Sequence, residues 1–94
     1  NNVPVGQWRL LEGAGVHGKE NRDNKEWHVY LIRGSRWVKV KAFSWDMETE
    51  KGKVRLDRPV FPYKGELIVP LRQVAESLGI SVQQKGQTIA LLPK

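Results

Sequence analysis

The chain has no cysteine, a single methionine and only two histidines in 94 residues, and it has no apolar run long enough to span a membrane as a helix. Without thiols it has neither a disulfide staple nor a thiolate metal centre. With imidazole confined to His17 and His28, a histidine-rich metal site or a Ser-His-Asp arrangement has little to build on. Ser35, Ser44, Ser77, Ser81, Thr49 and Thr88 all lack a Gly-x-Ser-x-Gly setting. Nothing reads as a signal peptide. A chain that opens on Asn1 without methionine reads as a mature or excised segment, so the missing leader says little about export.

What is present suits one folded domain over residues 1–94. An apolar fraction of 39% with four tryptophans is enough to fill one core at this length. Sixteen Lys and Arg against ten Asp and Glu leave a net charge of +6, which draws in anionic partners: polyphosphate wall polymers, nucleic acids or anionic lipids. Such a charge equally serves solubility.

The densest structural information lies in Gly65-Glu66-Leu67-Ile68-Val69-Pro70-Leu71-Arg72-Gln73-Val74-Ala75-Glu76-Ser77-Leu78-Gly79. Leu67, Ile68 and Val69 favour a strand, and Pro70, which lacks an amide hydrogen, suits the first position of a helix. Leu71, Val74, Ala75 and Leu78 then recur on one helix face, with Arg72, Gln73, Glu76 and Ser77 turned away, and Gly79 is able to close the helix at positive φ. Arg72 and Glu76 are spaced for an i, i+4 ion pair.

This run resembles the copper amine oxidase N-terminal-like, or stalk, domain family, whose pattern is roughly G-x-x-x-V-P-L-R-x-V-A-E-x-L-G followed by a β-hairpin. The resemblance is strongest over residues 53–92. It implies a small extracytoplasmic module of a bacterial envelope protein, placed on the cell surface or outside the cell, with no catalysis and no cofactor of its own. Its implied role is to position a neighbouring domain or to bind a cell-wall polysaccharide or another envelope protein. The family name promises copper, but the residues do not. A catalytic amine oxidase domain would bring three histidines and a tyrosine in an Asn-Tyr-Asp/Glu setting, whereas Tyr30 follows Val29 and Tyr63 follows Pro62.

Elsewhere, residues 5–11 read as a first strand around Trp8, Leu10 and Leu11. Gly13 to Glu26 is almost free of apolar side chains and reads as a mobile loop. Inside it, Gly13-Ala14-Gly15-Val16-His17-Gly18 satisfies the dinucleotide fingerprint G-x-G-x-x-G. Lys19 to Lys25 offers no apolar helix face to follow it, which argues against nucleotide binding.

Trp27 to Phe43 reads as a hairpin turning at Gly34-Ser35 through a type II′ connection, with Arg33 opposite Arg36. That register gives a core face of Trp27, Val29 and Leu31 against Ala42, Val40 and Val38. The other face carries His28, Tyr30 and Ile32 against Lys41, Lys39 and Trp37. Aromatic rings interleaved with ammonium groups stack sugars or bases and meet phosphates or carboxylates, so His28, Tyr30, Trp37, Lys39 and Lys41 are the candidate ligand-binding residues. A nucleic-acid or polyanion-binding module is the alternative function, while packing of these rings under another element is the purely structural one.

Phe43 to Leu56 resembles the V-x-W-D-x-x-T-K-T-V-x-L hairpin that closes many stalk repeats, although no helix separates it from Trp37 to Lys41 as a duplicated unit would require. Asp46, Glu48 and Glu50 alternate as in a calcium loop, but Gly52 falls one position late and flanking helices are missing, so a strand-turn-strand centred on Glu50-Lys51-Gly52 is expected. Two prolines hold Arg58 to Tyr63 extended along a sheet edge. A last hairpin sets Ile80 and Val82 against Ile89 and Leu91 across Lys85-Gly86-Gln87. The fold expected is α+β, a small antiparallel β-sheet domain packed on one short α-helix, with exposed strand edges that leave self-association open.

Overall fold

The computed structural model describes residues 5–23, 26–85 and 88–93. Among these residues ten strands form three antiparallel sheets, accompanied by one α-helix. The elements in chain order are β1 (Val5–Gln7), a 3-10 helix (Trp8–Ala14), β2 (His17–Arg22), β3 (Trp27–Arg33), β4 (Arg36–Lys41), β5 (Asp46–Thr49), β6 (Gly52–Arg55), β7 (Phe61–Tyr63), β8 (Glu66–Pro70), α1 (Leu71–Ser77), β9 (Ile80–Lys85) and β10 (Thr88–Pro93). Strands β2 to β6 form a five-stranded meander in sequence order, β1, β8 and β7 a second sheet with β8 in the middle, and β9 and β10 a hairpin. The chain is thus the α+β domain its residues imply.

The core lies between the inner face of the meander and α1. Val29, Leu31, Val38 and Val40 are fully buried there, with Met47 at 1% exposure. Facing them are Leu71, Val74, Ala75 and Leu78 from α1, together with Leu67, Val69 and Ile80. The helix ends as expected, with Gly79 at φ +82°. It begins at Leu71, as a helix over Leu71 to Leu78 predicts, but Pro70 is not its first residue: it is the last residue of β8 and caps the helix in extended conformation at φ −68° and ψ 103°. Arg72 and Glu76 approach to 3.9 Å on the helix surface, a contact worth only about 0.3–0.5 kcal/mol.

Several turns follow their residues. Arg33 stands opposite Arg36, and Gly34 takes φ +62° while Ser35 stays out of the positive-φ region, as a type II′ turn requires. Thr49 pairs with Gly52 across Glu50-Lys51, where the Thr49 hydroxyl donates to Gly52 O at 2.8 Å and accepts from Lys51 N at 3.0 Å. Lys64 and Gly65 both take positive φ between β7 and β8, and the proline-bearing β7 is an edge strand. In the last hairpin, Val82 pairs with Leu91 and Ile80 with Pro93. Its turn at Gly86-Gln87 lies outside the described residues.

Two expectations fail in the first quarter of the chain. The first strand stops at Gln7, and Trp8 to Ala14 wind into a 3-10 helix that drops Trp8 and Leu11 into the core, which a continuous strand could not do with Trp8 and Leu11 on opposite faces. The stretch read as a mobile loop is largely strand β2, paired along its length with β3 from His17↔Ile32 to Arg22↔Trp27. An edge strand gets its order from backbone pairing and so needs few apolar side chains; charged residues are what keep such an edge from aggregating.

Candidate functional site

Strand alternation sends one set of side chains from the meander outward, and the paired positions line up in rows across the sheet. One row runs Lys19, Tyr30, Lys39, Glu48, Lys53, and a neighbouring row holds Asn21, His28 and Lys41. Asp46 and Arg55 form a pair beyond them. The expected hairpin face is therefore the outer face, and it is two strands wider on one side and one strand wider on the other than the hairpin alone.

The five candidate residues meet there. Tyr30, 37% exposed, is the centre: the His28 ring meets it edge-on at 5.7 Å, the Trp37 ring lies tilted at 6.1 Å, and Lys39 Nζ stands 5.5 Å from its ring centre. Ile32 beside them is 43% exposed, so these rings are not roofed by a second layer. Trp37 and His28 are half-buried, and the Lys39 side chain lies flat over the face while Lys41 extends further out.

Glu26, just before β3, binds the basic side of this face together. Its carboxylate lies 2.6 Å from His28 Nδ1, 4.0 Å from Lys39 Nζ and 3.9 Å from Lys41 Nζ. The His28 approach is off the hydrogen-bonding direction, so this buried nitrogen has a close charge partner but no aligned bond. At the other end of the face, Glu50 Oε1 accepts a bond from Trp37 N at 3.2 Å. That bond, with Arg36 and Lys51 nearby, holds the Glu50 carboxyl below its ordinary range.

A second polar cluster, on the inner side of β2, is one the sequence reading missed. Glu20 accepts from both Trp8 Nε1 at 3.3 Å and Trp27 Nε1 at 2.9 Å. Arg9 and Arg22 flank it at 3.5 and 3.8 Å, and their guanidinium groups stack on those same indoles at 4.5 and 3.6 Å. Arg9 continues to Glu66 and Arg22 to Gly65 O, which ties the meander edge to the β7–β8 turn. The signal available in the sequence was the tryptophans themselves, since a buried indole N–H needs an acceptor, although Glu12 and Glu26 lie nearer to them in sequence than Glu20 does. This cluster is structural: both indole N–H groups are spent on Glu20, and the two guanidinium groups link it to the β7–β8 turn.

The glycine-rich decoy resolves in the same place. Gly15 ends the 3-10 helix at φ +87°. Gly18 faces the Trp8 ring so closely that a Cβ there would sit 1.9 Å from Cζ3. Both glycines serve the backbone and the packing of Trp8.

Copper does not fit the imidazoles present. His17 pairs with Ile32 and His28 lies four residues away along the same two strands, a separation of roughly 14 Å at strand rise, whereas two ligands of one metal ion approach within about 2 Å of it each. Among the described residues no three of His, Cys, Asp and Glu converge on a common point. Asp46 and Glu48 of the alternating carboxylates instead face cations across the ladder, Asp46 reaching Arg55 at 3.8 Å.

Comparison with curated proteins and with solved structures finds no match. Residues 3–92 match the family described as Copper amine oxidase N-terminal domain, which extends the likeness carried by residues 53–92 to almost the whole chain. That domain is a non-catalytic, stalk-like part of copper amine oxidases, and the present chain belongs to its family.

Proposed function

We propose that this domain is a non-catalytic module on the outside of a bacterial cell that uses the outer face of its meander to hold a cell-wall polymer or an envelope protein, and so positions a neighbouring domain. The observation that carries this reading is Tyr30, exposed between the Lys19 and Lys39 side chains on a face where rings and ammonium groups alternate across β2, β3 and β4. The family supports a stalk role, and the face supplies a surface for it to act through.

A second reading is favoured by the charge of the same rows. Lys19, Lys39 and Lys53 lie on alternate strands, about 10 Å apart at the usual strand spacing, which suits an extended polyanion such as single-stranded nucleic acid.

An amide-resolved NMR titration separates the two, using soluble wall fragments and, separately, a short single-stranded oligonucleotide, each at low and physiological salt. Shifts at His28, Tyr30, Trp37, Lys39 and Lys41 with wall fragments alone are the expected result. Shifts with the oligonucleotide that fade with salt would transfer the function to polyanion binding. Silence with both would leave a spacer.

A further inference from the structure

Phe43 is the most exposed large apolar side chain among the described residues, at 75%, and its backbone sits at φ +68°. A bulky side chain in the left-handed region is strained, and glycine or asparagine adopts that conformation more readily. The surroundings enforce it: Phe43 N donates to Val60 O at 2.6 Å, Val60 N donates to Ser44 O at 2.9 Å, and Ala42 N donates to Trp27 O at 2.9 Å. A ring held in strain while packing on almost nothing contributes little to the fold, and strain of this kind gathers at functional sites.

The ring borders a cleft of about 510 Å³ that is also lined by Asp23, Glu26, Trp27, Lys41 and Ser44, a volume in the usual range for small-ligand sites. Its charged groups stand close together: the Glu26 carboxylate faces Lys41 at 3.9 Å, and Asp23 Oδ1 accepts from Glu26 N at 2.8 Å. The cleft therefore presents acceptors and donors side by side, and its two carboxylates disfavour an anionic ligand. Sugar hydroxyls both donate and accept, and a pyranose ring has an apolar C–H face that lies flat on an aromatic ring. We propose that this cleft is a saccharide subsite holding one pyranose ring of a neutral glycan against Phe43, with the Glu26 carboxylate and the Lys41 ammonium addressing its hydroxyls. It deepens the reading of the domain as a binding module and rests on it, because Lys41 belongs to both the outer face and the cleft.

The test is NMR titration with three neutral tetrasaccharides, of β-1,4-linked N-acetylglucosamine, β-1,4-glucan and β-1,3-glucan, alongside inorganic polyphosphate as an anionic probe of the outer face. At least one tetrasaccharide should shift the amides of Phe43 and Lys41. Phe43→Gly and Phe43→Asn should each weaken that binding by about tenfold or more while the thermal midpoint stays level or rises, because both replacements relieve the backbone strain. A fall in midpoint together with affinity would mean that the ring is structural, and unchanged affinity would mean that it touches no ligand; either overturns the subsite. Polyphosphate shifts at Tyr30 and Lys39 without any tetrasaccharide shift at Phe43 would sink the subsite alone, whereas silence from every probe would sink it together with the binding-module reading.

Discussion

At the scale of single residues, the fold depends on small side chains and lone carboxylates whose neighbours arrive from distant parts of the chain. Gly18→Ala pushes a methyl group into the Trp8 ring at 1.9 Å, and since Trp8 is 1% exposed it has nowhere to retreat. The variant should lose at least about 1–3 kcal/mol, measured by urea denaturation, and an unchanged midpoint would show that the indole is free to shift. Glu50 makes a pH-dependent contribution. Its carboxyl titrates below its usual range in the fold because it accepts from Trp37 N and has Arg36 and Lys51 beside it. The stability it adds is therefore complete above the ordinary glutamate value of about 4.3 and disappears as the pH falls through the lower folded value. The thermal midpoints of the native chain and Glu50→Gln should accordingly converge on acidification; a gap that persists well below that range would assign the difference to something other than ionisation. Neither feature was legible beforehand. The sequence shows a glycine and an acid, but only the fold shows what stands opposite them.

At the scale of elements, periodicity served well where one face of a strand or helix is buried and failed where order comes from elsewhere. Trp27 to Lys41 and Leu71 to Leu78 carry a clear apolar stripe, and their registers and faces emerged as read. Strand β2 has no such stripe: its inner face consists of Gly18, which makes room for a ring, Glu20, which binds two indoles, and Arg22, which stacks on Trp27. The 3-10 helix at Trp8 to Ala14 was hidden for the opposite reason, because Trp8, Leu10 and Leu11 suit a strand as readily as a tight helix and only the burial of Trp8 and Leu11 together decides. The five candidate binding residues were legible because they follow from hairpin register alone, whereas the contribution of Lys19, Glu26, Glu48 and Lys53 to the same face depends on pairings across separate strands. The C-terminal end of α1 offers an element-scale prediction. Arg33, from the end of β3, donates to Leu78 O at 3.0 Å and to Gly79 O at 3.4 Å, placing a cation and a donor where the helix leaves carbonyls unpaired. Arg33→Ala should cost about 1–2 kcal/mol and raise amide hydrogen exchange first at Leu78 and Gly79. Exchange rising evenly over the whole domain would argue that Arg33 acts through the sheet instead.

For the whole molecule, the part that is easiest to recognise is not the part that stands alone. Residues 53–92 carry the family's pattern, yet β8 within them is paired on one side by β1, and α1 shares one buried core with residues that precede position 53, including Trp8, Leu31 and Val38. A peptide of residues 53–92 should therefore give a collapsed, poorly dispersed NMR spectrum, and a well-dispersed one would show that the meander is an addition to an autonomous core. The pairing of Val5 with Pro70 also has a consequence in time. A chain made from its amino end holds β1 ready long before its partner exists, so the pairing of β1 waits on β8 and on a loop closure spanning most of the domain. Until then the unpaired edge of β1 is open to whichever strand comes first. In an array of such domains, the competitor would be the same strand from a neighbouring copy.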